Sequence, residues 1–275
     1  ANFDLGNFTR HLNKQGFLLE SINLAANLSK TQVVPKDTSV LVIAGPQTAL
    51  LPAEVDQIIT YINSGGNLLW LGEPLNVSSN HAMHGLKPLA ERLGIEFLDG
   101  VVVDPGTQNY DISRPDYAIV TEYPQHPINE GFSSITLFPQ AAGIERLSTF
   151  FEEQVTEKEP NEALPSQDFN MTAFLVTIEQ SWIETSAIRD SVHFSDLLDI
   201  SGPITIGMAL ERQLTDKQQR IVVMGDGDFL SNTFLGNAAN LTMGLNIINW
   251  LSHDEQFINI PTRIKDDILL DISAQ

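Results

Sequence analysis

The amino-acid sequence predicts an α/β protein: an open, mainly parallel sheet flanked by helices and interrupted by a β-rich insertion. Three observations predict it. Ile221 to Met224 is an unbroken apolar run, of the kind buried on both faces of a parallel sheet, and it ends in Gly225-Asp226-Gly227-Asp228 ahead of a helical pattern. Ser39 to Gly45, Pro52 to Ile62 and Asn67 to Gly72 read as strand, helix and strand with short links, and a right-handed crossover makes the two strands parallel neighbours. Beyond Asp104-Pro105-Gly106 the texture changes to short β-prone runs between proline- and glycine-marked loops. A single discontinuous domain follows, with its core in 1–105 and 200–275 and the insertion in 106–199.

Each element has its own signal. Phe3, Leu5, Phe8 and Leu12 give a short N-terminal helix over 3–13, which Gly16 ends, and Phe17 to Leu24 alternates as a first strand. The β-branched content of Ser39 to Gly45 makes it a buried strand. Pro52 with Glu54 opens the next helix, with proline in its first turn and an acid near its positive end, and Ser64-Gly65-Gly66 closes it. A helix spans Leu86 to Leu93 and stops at Gly94; Ile95 to Val103 is a strand bent at Gly100. In the insertion, Ala118 to Glu122, Ile135 to Ala141 and Phe174 to Glu179 are β-prone, whereas Glu152 to Gln167 is acidic and poor in apolar residues. Ile204 to Leu210 resumes the sheet and a polar turn leads into Ile221. Leu235, Leu241, Leu245, Ile248 and Leu251 then line one face of a helix ending near Ser252.

Composition excludes whole classes of function. Fifteen basic and thirty-five acidic residues give a formal charge of −20, which repels phosphate backbones, so nucleic-acid binding and polybasic membrane docking are not expected. There is no cysteine, hence no disulfide, no thiolate nucleophile and no Cys-ligated zinc. No stretch reaches the roughly 18 apolar residues of a membrane span. The chain opens at Ala1-Asn2-Phe3 without a methionine, as a piece of a longer protein would.

Ser39-Val40-Leu41-Val42-Ile43-Ala44-Gly45-Pro46, Leu51-Pro52-Ala53-Glu54 and Tyr61 to Leu69 resemble the start of the extracytoplasmic domain of GldG-like proteins. Gly202-Pro203-Ile204, Arg220 to Asn232 and Asn246 to Leu251 resemble that family's closing pattern, so both ends of the chain match in order. GldG-like proteins are auxiliary components of uncharacterised ABC transport systems, named for a gliding-motility protein. The resemblance implies a fold similar to flavodoxin and class I glutamine amidotransferases. It also implies a periplasmic or extracytoplasmic location with anchoring segments in the cytoplasmic membrane, and an ABC transporter permease or another membrane-complex subunit as partner. A glycan is the alternative partner. It carries over no catalytic residue and no cofactor.

An amidotransferase needs a cysteine on the turn after a central strand, and here that turn reads Gly72-Glu73-Pro74. Gly-x-Ser-x-Gly does not occur, so Ser231, His81 and His253 are only scattered parts of a hydrolase triad. Glu73, Asp226 and Asp228 follow strand ends and, with Asn76 and Asn232, outline a ligand-binding crevice. Carboxylates there suit calcium or magnesium, which defines the alternative function: a divalent-metal hydrolase acting on a carbohydrate or ester. The plainer reading has Asp228 or Asn232 capping the following helix and Asp226 accepting turn hydrogen bonds. His81-x-x-His84 offers zinc ligands only if both rings share a face, and solvated loop histidines are the simpler account. Trp70 and Trp250 fit core packing, while Trp182, in the polar insertion, serves packing or recognition equally well. The reading this supports is a non-enzymatic binding or scaffolding domain.

Overall fold

The computed structural model describes residues 2–25, 34–74, 82–147, 169–186, 188 and 192–253. Its helices are α1 (Gly6–Lys14), α2 (Pro52–Asn63), α3 (Lys87–Leu93) and α4 (Asn240–Leu251). Its strands are β1 (Leu41–Ala44), β2 (Leu68–Leu71), β3 (Ile95–Phe97), β4 (Val101–Val103), β5 (Tyr117–Val120), β6 (Thr136–Pro139), β7 (Ile144–Arg146), β8 (Asn170–Val176), β9 (Trp182–Glu184), β10 (Ile200–Ser201), β11 (Thr205–Gln213) and β12 (Gln218–Met224).

The two ends of the chain meet in one five-stranded sheet, ordered β1-β2-β12-β11-β8. β1, β2 and β12 are parallel, with Val42 beside Leu69 and Leu69 beside Val222. The ladders of β12 with β11 and of β11 with β8 are antiparallel, so the sheet is mixed rather than mainly parallel as expected. The cause is local. A tight turn, with the Leu214 N–H on the Lys217 carbonyl at 2.8 Å, joins β11 to β12, and strands joined by so short a link must run in opposite directions.

Period-two side-chain alternation divides the core between the two faces of this sheet. Leu68, Trp70, Ile221 and Val223 pack with Val55, Ile58 and Ile62 of α2 and with Leu89 and Leu93 of α3. Leu69, Leu71, Val222 and Met224 pack with Met243, Ile247 and Leu251 of α4 and with Phe8 and Leu12 of α1. Covered on both sides, β2 is buried at all four positions. By contrast β1 is an edge strand with one face covered: Val42 is 40% exposed, so the expected fully buried strand is half-buried.

Local chemistry sets the boundaries. The Glu54 carboxylate accepts the Leu51 N–H at 2.8 Å, which satisfies an amide that the first turn of α2 leaves open. Gly66 lies against the Tyr61 ring, where a Cβ would come within 2.4 Å of three ring carbons, so only glycine lets the chain turn from α2 into β2. α4 starts at Asn240, not near Leu235, because the Asn240 side chain is a fixed post. Its Oδ1 accepts the Leu137 N–H, and its Nδ2 donates to the carbonyls of Leu137, Phe229 and Phe234.

Other expectations need correction. Phe17 to Leu24 forms no strand; Leu18 is 95% exposed, and alternation without a neighbouring edge has nothing to pair with. Ile95 to Val103 is two strands in different sheets: β3 pairs with β7, and β4 joins β9 and β10. The break is at Gly100, whose φ of 117° and close approach to the Glu184 carbonyl tolerate no side chain. β5 and β6 form a hairpin. β8, from the stretch assigned to the insertion, is an edge strand of the main sheet. Glu152 to Gln167 lies outside the described residues. Among those residues no helix is long and apolar enough to cross a membrane.

Candidate functional site

Because β1, β2 and β12 run parallel, their carboxyl ends share one edge. The chain exits there through Gly45, through Gly72-Glu73 and through Gly225-Asp226-Gly227-Asp228. Ladder bonds continue into these exits, from Gly45 N–H to the Leu71 carbonyl at 3.3 Å and from Gly72 N–H to the Met224 carbonyl at 2.9 Å. Glu73 fits between two glycines: a Cβ at Gly45 or at Gly227 would sit 3.3 or 3.2 Å from its Oε1. Glu73 thus packs against bare backbone, and the Gly227 backbone amide favours its charged form.

Three carboxyl groups converge at this edge, as expected. Asp226 is fully buried; its Oδ1 accepts the Asp228 N–H at 2.7 Å, and its Oδ2 has no partner. The turn-acceptor role foreseen for Asp226 is therefore present. Burial, followed by the charge of Asp228, pushes the Glu73 carboxyl up to about 7. Burial, then Glu73 and then Asp228, raises Asp226 well above the carboxylate range, and burial raises Asp228. Like charges in a desolvated place disfavour full ionisation of the cluster. The phenol of Tyr117 on β5 lies close enough to Asp226 and Asp228 to feel both charges.

No three Asp, Glu or His side chains among the described residues are arranged to hold an ion together. The arrangement therefore does not support the divalent-metal alternative built on Glu73, Asp226 and Asp228. What the cluster can do is take up and release protons at the glycine-marked strand ends.

The other predicted residues go elsewhere. Asn232 leaves the crevice to cap α1, not the helix that follows it: its Oδ1 accepts the Asn7 N–H at 2.7 Å. Trp182 is only 8% exposed, belongs to the three-stranded sheet of β10, β9 and β4, and stacks edge-on against Phe194 with ring centres 6.1 Å apart. Packing against Phe194 accounts for its burial. Asn76 and His81 lie outside the described residues, so the pairing of His81 with His84 does too. Ser231 is buried ahead of α4 and His253 follows its end, so the length of that helix, roughly 18 Å, keeps the triad parts apart.

Two features escaped the sequence reading. One is a cleft of about 350 Å³ between α1 and residues 232–241, with Arg10, His11 and Lys14 on one wall. Its signal was the lack of any Asp or Glu from Leu5 to Leu19 and from Phe229 to His253 in so acidic a chain. The other is the turn Phe194 to Ile200, where Leu197 and Leu198 are 93% and 67% exposed. Asp199 shapes it, accepting the Ser195 N–H at 2.8 Å and the Thr185 N–H at 3.4 Å. Adjacent leucines between two aspartates, in a polar stretch, were the legible sign.

Comparisons with known proteins agree with this architecture. Among solved structures, the chain is similar to one described as "mmIFT52 N-terminal domain", at 16% identity and a TM-score of 0.58, covering 91% of each chain. It also matches "Cytoplasmic Protein STM3548 from Salmonella typhimurium" at 15% identity and a TM-score of 0.41, over 88% of this chain and 85% of that one. At these identities the first likeness speaks to the fold alone. No curated protein matches. A family described as "ABC-type uncharacterized transport system" matches residues 3–259, nearly the whole chain. With strands from both ends of that span joined in one sheet, the chain belongs to the ABC-type uncharacterized transport system family.

Proposed function

We propose that this chain is a non-catalytic binding or scaffolding domain of its transport system, of the GldG-like kind. In this reading it sits outside the cytoplasmic membrane and docks on the permease or another subunit of the membrane complex. The observation that carries the reading is the Asp199-shaped turn. Leu197 and Leu198 are held outward by a defined hydrogen-bond set, on a surface that is otherwise strongly acidic. Exposed apolar side chains on a rigid polar-rimmed mount are what a protein interface uses as anchors. Among the described residues, the serine and histidine candidates for a triad, Ser231 and His253, stand apart.

The test is co-purification of the membrane-embedded permease with the full-length protein, wild type against the double variant Leu197→Asp/Leu198→Asp. Loss of the permease with an unchanged melting temperature supports docking through this turn. Undiminished recovery refutes it. Location is tested separately. These 275 residues hold no cysteine, so Asp196→Cys, at an exposed position of the same turn, adds the one thiol among them, and the protein without the substitution is the labelling control. Labelling of that thiol by a membrane-impermeant maleimide in intact spheroplasts is expected, and labelling only after lysis would place the domain inside.

A further inference from the structure

The cleft beside α1 has the makings of a site that is independent of the docking turn. Asn7, Arg10, His11 and Lys14 occur at spacings of three, one and three residues, so they form one stripe of the helix, and that stripe is the cleft wall. The opposite face of α1, Phe8 and Leu12, is buried in the core, so the stripe cannot rotate away. The second wall is fixed to the first by backbone bonds, Asn232 N–H to the Asp4 carbonyl at 2.8 Å and Thr233 N–H to the Asn2 carbonyl at 3.0 Å. Leu235 and Leu241 add apolar surface.

The electrostatics of the cleft are unusual for this protein. In a chain of net charge −20, neither wall carries an acid: none occurs from Leu5 to Leu19 or from Phe229 to His253. Arg10 bonds to the Asn7 amide oxygen, and no ion pair joins Arg10, His11 or Lys14 to a carboxylate among the described residues. A helix C-terminus welcomes cations, which explains the positions of His11 and Lys14. It does not explain Arg10 four residues before Lys14, a like-charge pair that costs the helix stability. His11 reports the same crowding, since burial first, and then Lys14 and Arg10, lower its basicity. Uncompensated cations gathered on a rigid, partly enclosed wall are the condition in which an anion binds by charge-assisted hydrogen bonds.

We propose that this cleft binds the anionic group, phosphate or carboxylate, of a sugar-sized molecule, with Arg10 and Lys14 as the charged ligands and Leu235 and Leu241 against its apolar face. The cleft volume of about 350 Å³ lies at the small end of ligand pockets, which suits one sugar ring with its charged substituent.

The experiment follows the ring proton of His11 by NMR in the whole chain, across a pH series, with glucose 6-phosphate, glucuronate, or vesicles of phosphatidylglycerol against phosphatidylcholine. An anion seated in the cleft raises the His11 titration midpoint, saturably and less so in high salt. Arg10→Glu/Lys14→Glu should weaken binding at least about tenfold. Gly236→Phe is the uncharged control: Gly236 lines the cleft and a Cβ there meets nothing within 4 Å, so bulk is added to the cleft wall without a charge. Saturation by the soluble anions assigns a free ligand, whereas a response to phosphatidylglycerol vesicles alone assigns a lipid headgroup; both uphold an anion site. Absence of any response to every probe, or affinity unchanged in both variants, overturns it. Because the readout is His11 and not the permease, its failure is separate from failure of the docking turn.

Discussion

Glu73→Gln should stabilise the protein in alkaline solution and leave it unchanged in acid. The Glu73 carboxyl stands at about 7 against an ordinary 4.5, raised first by burial and then by the charge of Asp228. Between those values the folded chain holds a proton that the unfolded chain has released, so stability falls as pH rises through that window. The protonated contribution is complete below 4.5 and gone above 7. A difference of about 2.5 units corresponds to about 3 kcal/mol, an upper figure because Glu73 is half-buried and water screens part of the charge. For a chain of this size that is up to roughly 6–12 °C in Tm. Glutamine keeps an oxygen to accept the Gly227 bond but never ionises. Thermal unfolding of both proteins from pH 4 to 9 should therefore give curves that coincide near pH 4, separate progressively between about 4.5 and 7, and stay a constant distance apart above that, with the variant higher. Curves parallel over the whole series would refute the reasoning, since they would mean that Glu73 titrates alike in both states.

Further outcomes can be stated for other residues. Asp226→Asn, which removes a fully buried carboxyl while keeping an oxygen for the Asp228 amide, should raise Tm at pH 8 more than at pH 5 in the same assay. Asn240→Ala strands the Leu137 amide and three carbonyls in the core, and should lower the unfolding free energy by at least about 3 kcal/mol, read as an earlier urea midpoint. Gly225→Ala places a Cβ 2.0 Å from the Ala142 carbonyl oxygen and should yield no cooperatively folded protein by calorimetry. Leu197→Asp/Leu198→Asp, at exposed positions, should move stability by no more than about 0.5 kcal/mol in urea while permease recovery is lost.

The parts of the fold that were legible are those where one physical pattern suffices. Leu68 to Leu71 and Ile221 to Met224 are continuous apolar runs because helices cover both faces of the sheet, and the run itself carries that information. The mixed pairing was harder to read: the Leu214 to Lys217 turn is polar and short, which signals a hairpin, yet the crossover logic of β1, α2 and β2 was extended past it. In the candidate site, the meeting of Glu73 and Asp226 was legible because parallel strands end on one edge of a sheet. Asn232 was placed with them on sequence proximity, but its partner is Asn7, 225 residues away, and no local pattern encodes that contact. The Arg10 stripe was missed because its meaning lies in the missing acids around it, a property of two segments that meet only after folding.

The central position of β2 has a consequence for how the protein comes off the ribosome. Leu69 lies between Val42, only 27 residues earlier, and Val222, 153 residues later. A nascent chain synthesised as far as Gly202 therefore displays the oiliest strand of the molecule with one hydrogen-bonding edge still open, and such an edge invites pairing with a neighbour. Completion of the sheet waits until Val222 has been made, so the cell must shield that edge while the 153 residues after Leu69 are synthesised.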